Sequence, residues 1–255
     1  MEEFRFLELC VHNAYENMAV DEAITLAIKE GKAPPTLRLY RWRPSAVSIG
    51  TFQGMTDEVD LKYCRLNKID YIRRITGGGA VYHDFEGEVT YSLIVPKGHR
   101  LAPSDILKSY KIICGGIIEA LKQLKIKAKF RPINDVVTSG KKISGNAQTR
   151  RNSCVLQHGT TLLDLDVEVM FSILKVPKEK ISDKMIQEVK KSVTSIREVL
   201  GRHVEVDELG KALEAGFSKA LKIDLVPGAL MAQEWADAQR LMKEKYSTTK
   251  WNLSR

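Results

Sequence analysis

The sequence lacks the features that place a chain in or across a membrane. No uninterrupted apolar run reaches the length of about 18 residues that a membrane-spanning helix requires. The N-terminal stretch MEEFRFLELCVHN begins with acidic residues, without the basic segment followed by an apolar segment that marks a secretory signal. We therefore expect a cytoplasmic protein with no membrane partner.

Cysteine is sparse, and its spacing excludes two common uses. The four cysteines are Cys10, Cys64, Cys114 and Cys154, and no two of them form a CxxC pair. Such irregular spacing argues against a zinc site and against a disulfide framework. Cys114 lies in the apolar stretch KIICGGIIEAL, so we expect it on a helix with its side chain in the protein core.

Signatures of nucleotide and nucleic-acid binding are also missing. The glycine run Gly77–Gly79 is followed by neither GxxG nor GK[ST], so it forms neither a dinucleotide fingerprint nor a P-loop. The net charge is +8, but no long basic run and no alternation of aromatic residues with arginine accompanies it. This pattern argues against nucleic acid and favours an anionic ligand or an acidic protein partner.

The elements that are present indicate an α+β fold. Helical spacing of apolar residues predicts helices at 16–31 and 104–124, and a mostly helical region from Val167 onward. Short strands separated by turns are predicted between them, without the regular alternation of strand and helix that a parallel sheet needs. We expect a mixed, largely antiparallel sheet packed with helices, in a single domain over residues 1–255.

The stretch RRITGGGAVYHD, Arg73–Asp84, is the most unusual in the chain. Alternation along the incoming strand puts Arg73 and Arg74 on opposite faces, so that one of them can face a ligand. Consecutive glycines bring bare backbone N–H groups close to an anion. A flexible hairpin loop with surface arginines is also consistent with this stretch, and the residues alone leave both interpretations open.

The stretch NDVVTSGKKISGNAQTRR, Asn134–Arg151, combines a carboxylate with two lysines. Alternation again places Lys141 and Lys142 on opposite faces, and a lysine beside an anion neutralises charge. Asp135 could hold Mg²⁺, which needs only one or two carboxylates besides phosphate oxygens. The alternative is a surface hairpin, which we favour for Lys141.

The stretch VLQHGTTLLDLD, Val155–Asp166, reads as a strand that is interrupted by His158 and Gly159. A glycine inside a strand often marks the close approach of a ligand or of another backbone. A hydrogen-bonded core histidine is the more common explanation for a single histidine in such a position.

Together these segments resemble lipoate–protein ligase A. RRITGGGAVYHD, the earlier RWRPSAVSIGTFQ, NDVV…GKKISGNAQ and LQHGTTLLDLDVEVMFSILKVP occur in the family's order and at similar spacing. The resemblance runs from about Leu7 to the C-terminus, where EKYSTTKWN resembles the end of the catalytic domain in archaeal members. It implies the fold shared by biotin–protein ligases and octanoyltransferases, which is related to class II tRNA synthetases.

The resemblance also implies an activity. In this family ATP and lipoate form lipoyl-AMP, and the lipoyl group then passes to a lysine of a lipoyl domain (E2 subunits) or of the glycine-cleavage H protein. ATP, Mg²⁺ and lipoate are the implied cofactors and substrate. Because single-chain ligases carry an extra C-terminal domain that this chain lacks, the resemblance implies a separate small accessory subunit.

The family motif assigns roles to particular positions. Lys142, directly before ISG, is the implied catalytic residue, and Asp135 is the implied magnesium position. The residues implied to bind ATP and the adenylate are Arg74, Gly79, Ala80, Val81, Tyr82 and Lys142. The residues implied to bind lipoate are Lys142, Gly78, His83 and His158. The loop implied to close over the adenylate is Ser144–Ser153, with Ser144, Gly145, Asn146 and Ala147 as its binding residues.

Three alternatives to the ligase stay open. An octanoyltransferase has the same fold but acts without ATP, through an acyl thioester on a cysteine. Its nucleophile is expected in the stretches that here read IKAKFRPIND and MFSILKVPKEK, and neither contains cysteine. A biotin ligase would carry a GRGRxG-type run, which is missing. A non-enzymatic module for acidic proteins would explain the charge but not Lys142, the glycines and Asp135 together. We therefore expect the ligase.

One departure from the ligase pattern stands out after the His-Asp pair. The family usually has LGN there, whereas this chain has FEGEVTYS and carries Glu88 in place of the asparagine. The role of the loop around His83 and Asp84 is therefore left unassigned.

Overall fold

The computed structural model describes residues 1–175 and 191–255. The strands are β1 (Glu2–His12), β2 (Thr36–Trp42), β3 (Ala46–Ile49), β4 (Asp70–Arg73), β5 (Val81–His83), β6 (Glu88–Pro96), β7 (Lys129–Arg131), β8 (Asp135–Thr138), β9 (Lys141–Thr149), β10 (Cys154–Leu162) and β11 (Ile223–Pro227). The helices are α1 (Ala14–Lys29), α2 (Met55–Glu58), α3 (Leu61–Leu66), α4 (Ile106–Gln123), α5 (Val167–Ile173), α6 (Ile196–Leu200), α7 (Val206–Leu221), α8 (Ala232–Leu241) and α9 (Thr249–Asn252), with a π-helical turn at Met242–Tyr246.

The strands form two sheets. Eight of them form one sheet in the order β11–β1–β2–β6–β10–β9–β8–β7. β1 runs parallel to both β11 and β2, and the other neighbours pair antiparallel. A second sheet has the order β4–β3–β5, with β3 parallel to β4 and antiparallel to β5. The expected mixed, largely antiparallel α+β architecture is confirmed.

The prediction of a mostly helical region after Val167 misses one strand. β11 adds five residues to the open edge of the large sheet, with Glu2 paired to Ile223. This strand is short and follows directly after a long helix, so its residues show little of the two-residue period that predicts a strand. Its conformation depends on the free edge that β1 offers.

Helix signals in the sequence were more reliable because the caps are local. Asn13 caps α1 and forms a capping box with Glu16. Asp105 caps α4 through a hydrogen bond from the backbone N–H of Lys108. These side chains satisfy N–H groups that the first turn of a helix leaves without partners. Within 1–175 and 191–255, no helix is both long enough and apolar enough to span a bilayer.

The large sheet has one apolar face and one partly polar face. In β6, Val89, Tyr91 and Leu93 belong to the core under α4 and α7, because alternate residues of a strand share a face. The alternate residues Glu88, Thr90 and Ser92 point to the other side and are still buried. Buried polar groups need hydrogen-bonding partners, so this pattern marks the face that holds the site.

Trp251 and Asn252 in α9 contact the end of β4, the strand that leads into the glycine segment. The backbone N–H of Arg73 donates to Asn252 Oδ1 at 2.8 Å, and Trp251 Nε1 donates to the Arg73 carbonyl at 2.8 Å. The Arg73 guanidinium donates to the Trp251 carbonyl at 3.0 Å. Arg73 is therefore structural, and its neighbour Arg74 faces the opposite side, as the alternation predicts.

Candidate active site

A cavity of about 280 Å³ lies between the small sheet and the polar face of the large sheet. One wall is formed by Gly78–His83 together with Arg74. β9 contributes Lys142 and Gly145–Ala147, and β10 contributes His158. The structure thus brings together most of the residues singled out from the sequence. The exceptions are Asp135, which lies behind Lys142, and Ser144, which is fully buried.

Arg74 organises the glycine segment rather than facing open solvent. Its Nη2 donates to the carbonyls of Gly77 and Gly79, each at 2.8 Å, and its Nε donates to Thr76 Oγ1 at 3.1 Å. Its Nη1 donates to the carbonyl and the hydroxyl of Ser48, both at 3.1 Å. Burial lowers the pKa of Arg74 to about 10, so the guanidinium stays charged at neutral pH. The segment is therefore a braced loop and not a loose hairpin.

Lys142 forms an ion pair with Asp135, with 2.8 Å between Nζ and Oδ1. The absence of a side chain at Gly145 leaves room for this lysine, since a Cβ there would lie 2.6 Å from its Cε. Lys141 points the other way and pairs with Glu198 at 2.7 Å. The expected opposite placement of the two lysines is confirmed.

The carboxylate of Asp135 is paired with two cationic side chains. Both carboxylate oxygens are engaged by cations, Oδ1 by Lys142 and Oδ2 by Arg131 at 2.9 Å. Across the described residues, no group of three or more His, Cys, Asp or Glu side chains is placed to hold a metal. Asp135 is thus a member of an ion-pair network in this structure, and its implied role as a magnesium position stays a prediction.

The predicted closing loop over Ser144–Ser153 is wrong for most of its length. Residues up to Thr149 belong to β9, which pairs with both β8 and β10. Asn146 accepts a hydrogen bond from Tyr91 through Oδ1 at 2.7 Å, which fixes it in the sheet. Only the turn before β10 remains outside regular structure. Ser144, Gly145, Asn146 and Ala147 are thus strand residues, and the last three form a fixed wall of the cavity rather than a lid.

A hydrogen-bonded series beside the cavity was not anticipated. Ser48 Oγ lies 2.8 Å from His83 Nε2, and His83 Nδ1 lies 2.7 Å from Glu88 Oε1. Thr90 Oγ1 donates to the same oxygen of Glu88 at 2.9 Å, and Trp42 Nε1 donates to Thr90 at 2.8 Å. The alternation of buried polar residues in EVTYS was the available signal. It explains why a glutamate occupies position 88.

A second, deeper series runs parallel to the first. Thr76 Oγ1 lies 2.7 Å from His158 Nε2, and His158 Nδ1 lies 3.6 Å from Asp21 Oδ2. Burial lowers the pKa of His158. Burial alone would raise the pKa of Asp21. The hydrogen bond from His158 and the charge of Arg38 outweigh this effect and bring the pKa below its ordinary value. His158 is thus both a hydrogen-bonded interior residue and a wall of the cavity.

None of the four cysteines, all in described positions, borders the cavity. Burial raises the pKa of Cys114 to about 12 and that of Cys64 to about 11, and it also raises the pKa of Cys154. Cys10 is half-buried on β1; burial opposes its ionisation, yet contacts with His12 and Arg38 lower its pKa. Cys114 lies in the core, as expected.

Comparison with known proteins decides the family. Residues 13–218 match the family described as Lipoyl protein ligase A/B catalytic domain. The chain belongs to this family. It is 36% identical to the octanoyltransferase LipM of Brevibacillus brevis over 100% of both chains. It is 38% identical to LipM of Kyrpidia tusciae over 99% of both, and 32% identical to LipM of Bacillus subtilis over 100% of this chain and 99% of that one.

Solved structures of the family share the whole fold. The chain matches the bi-partite lipoate protein ligase of Thermoplasma acidophilum with a TM-score of 0.89 and 34% identity, over 99% of this chain and 97% of that one. It matches a lipoate-protein ligase A bound with ATP with a TM-score of 0.85 and 31% identity, over 98% of both. The expected LplA-like architecture is therefore confirmed.

The relatives correct the expected activity. Curated relatives at 32–38% identity, covering nearly the whole chain, are octanoyltransferases, so the prediction of an ATP-dependent lipoate ligase is wrong. The predicted need for ATP and for adenylation falls with it. The accessory subunit was expected only because lipoyl-AMP formation would require it, so nothing now supports that expectation. The coarser prediction, an enzyme of the lipoyl and octanoyl ligase–transferase family, is confirmed.

Proposed function

We propose that this protein transfers an octanoyl group, without ATP, from an acyl thioester to a lysine of a lipoyl-domain protein or an H protein. The observation that carries the proposal is the full-length similarity to octanoyltransferases. The donor supplies an already activated carbonyl, so no nucleotide is needed to drive formation of the amide.

The cavity suits a short acyl chain. Its volume is close to the lower end of the range for small-ligand sites, about 300 Å³. Leu162, Leu165, Met170 and Leu174 border it together, and such apolar side chains favour burial of an aliphatic tail. Its remaining wall carries the polar groups, including Lys142, which would face the carbonyl end of the chain.

Lys142 supports the chemistry as a fixed positive charge. Attack on a thioester places negative charge on the carbonyl oxygen, and a nearby cation stabilises that charge in the transition state. The ion pair with Asp135 holds the ammonium at the cavity while leaving two of its three N–H donors for other partners. The net charge of +8 would also attract an acidic acceptor protein.

The test is a transfer assay with two donor systems. Purified protein is incubated with an apo lipoyl domain or apo H protein, and with either octanoyl carrier protein or free octanoate plus ATP and Mg²⁺. Mass spectrometry of the acceptor measures acylation. We expect acylation from the thioester without nucleotide, and its loss when the acceptor lysine is replaced by arginine. Acylation that occurs only with ATP and the free acid would overturn the proposal.

A further inference from the structure

We propose that Leu165 limits the length of the acyl chain that the enzyme accepts, because it forms the partition between the acyl cavity and a larger cleft outside it. The inference rests on the proposed acyl transfer and deepens it. The cleft has a volume of about 550 Å³, against about 280 Å³ for the cavity. In the part of the chain that the structure describes, Leu165 is the one residue that borders both.

The two spaces that Leu165 separates differ in their chemistry. The cavity has an apolar part on the side of Leu165, where Leu162, Met170 and Leu174 also border it. The cleft carries charge, with Arg197 and His203 on its wall. Its carboxylates are Asp84, Glu86, Asp164, Asp166 and Glu168. An acyl tail gains free energy by leaving water for apolar surroundings, so it is stabilised in the cavity and not in the cleft.

The register of the large sheet shows how the apolar part lies relative to Lys142. The end of Lys142 lies beside Gly145, since a Cβ there would be 2.7 Å from Nζ. Gly145 is paired with Thr160 across β9 and β10. Leu162 follows two residues farther along β10, which is about 7 Å, and Leu165 comes just after the end of that strand. A chain with its carbonyl at Lys142 therefore runs past Leu162 and ends at Leu165.

The backbone around Leu165 is held in place on both sides. The N–H of Leu165 donates to Asp164 Oδ1 at 2.9 Å, and the N–H of Asp164 donates to the Gly87 carbonyl at 3.0 Å. Arg197 Nη1 donates to Asp164 Oδ2 at 2.8 Å. On the other side, Asp166 caps α5. Leu165 therefore lies on a fixed segment, and a longer chain cannot displace it without breaking these contacts.

The other apolar residues of the cavity are less suited to set a sharp limit. Met170 is unbranched and can change its rotamer to fit chains of different shape. Leu174 packs against the hydrophobic cluster of the small sheet, so a change there would disturb the core. Neither residue borders the cleft. Leu165 thus combines a fixed position with open space directly behind it.

The partition predicts the selectivity of the wild-type enzyme. A decanoyl chain has two more methylene groups than an octanoyl chain, and these would have to push Leu165 aside. One methylene group in a hydrophobic pocket changes kcat/KM by about 10- to 200-fold. We therefore expect kcat/KM for the decanoyl thioester to be at least about 10-fold below that for the octanoyl thioester.

The experiment compares hexanoyl, octanoyl, decanoyl and dodecanoyl carrier protein as donors to an apo acceptor, with mass spectrometry of the acceptor as the readout. Leu165→Ala removes three carbon atoms from the partition and joins the cavity to the cleft. It should raise the decanoyl-to-octanoyl ratio of kcat/KM by about 10-fold or more. Leu165→Phe should act in the opposite direction and shift the preference toward the hexanoyl donor.

Val167→Ala is the matched control. Val167 borders the cleft but not the cavity, so its truncation enlarges the cleft and leaves the partition intact. The chain-length profile of this variant should equal that of the wild type. Urea denaturation of each variant shows whether it is folded under the conditions of the assay.

A binding measurement separates the partition from the proposed reaction. Isothermal titration calorimetry with octanoate and decanoate gives the ratio of the two dissociation constants without any acyl transfer. Leu165→Ala should shift this ratio toward decanoate by about 10-fold or more. If the wild type transfers from no thioester, the proposed function fails, and the binding ratio still decides the role of Leu165. An unchanged ratio in Leu165→Ala, an equal shift in Val167→Ala, or no binding of octanoate by the wild type would each overturn the inference.

Discussion

Replacement of Gly145 by alanine should disable the enzyme by moving Lys142 rather than by unfolding the protein. A Cβ at position 145 would lie 2.6 Å from Cε and 2.7 Å from Nζ of Lys142. Carbon atoms in good contact are separated by about 3.5 Å or more, so the end of the lysine must retreat by about 1 Å. A misplacement of about 1 Å at a reacting group costs about 10²-fold in rate.

The fold should tolerate the same change. The lysine is about a third exposed (37%), so its flexible end has room to move, and Gly145 does not have a positive φ. We expect the free energy of unfolding to change by less than about 0.5 kcal/mol. Gly210→Ala in α7 is the matched control, because its Cβ would meet Leu9 at an ordinary 3.9 Å.

The assay is the initial rate of acyl transfer at saturating donor, with urea denaturation of each variant. Lys142→Ala should lower the rate by about 10²- to 10³-fold, since it removes the charge that faces the carbonyl oxygen. Because Gly145→Ala acts through the lysine, the double variant should be no slower than Lys142→Ala alone. A wild-type rate in Gly145→Ala, or a double variant far slower than Lys142→Ala, would refute this reasoning.

Three other predictions concern charge. Asp21→Asn should cost about 3–5 kcal/mol in urea denaturation because it leaves the buried Arg38 without its carboxylate at 3.0 Å. Since the pKa of Asp21 lies below its ordinary value, its stabilisation is present at neutral pH and is lost as the pH falls below about 4, a loss that the variant should not show. Glu234→Ala should cost a similar free energy, because Arg5 loses a partner at 2.6 Å; a change below about 1 kcal/mol would contradict it. Added salt should slow transfer to an acidic acceptor protein but leave transfer to a small uncharged amine acceptor unchanged, and equal slowing of both would exclude electrostatic docking.

The sequence was most informative where a role depends on local alternation. The opposite placements of Arg73 and Arg74, and of Lys141 and Lys142, followed from the two-residue period of a strand. That Lys142 borders the cavity together with Gly78–His83 followed from the family motif. In each case the decisive information lies within a few residues of the position concerned.

The remaining parts of the site depend on contacts between distant segments. Ser48, His83 and Glu88 lie on three strands, and their hydrogen bonds exist only after two sheets pack together. The stretch after Lys142 resembles a loop in the family pattern, but pairing on both sides makes it a central strand. The type of reaction was the least predictable property, because ligases and transferases of this family share these motifs.

The contacts between Arg73 and the last helical turn have a consequence for synthesis of the protein. They join positions 178 and 179 residues apart, so β4, the strand that leads into the glycine segment, gains these contacts only after Trp251 and Asn252 have been synthesised. Most of the core can assemble earlier, because domains begin to fold from the N-terminus during translation. A nascent chain therefore passes through a compact stage in which this strand still lacks its contacts with Trp251 and Asn252. The support that these two residues give to one wall of the cavity is therefore added late in synthesis.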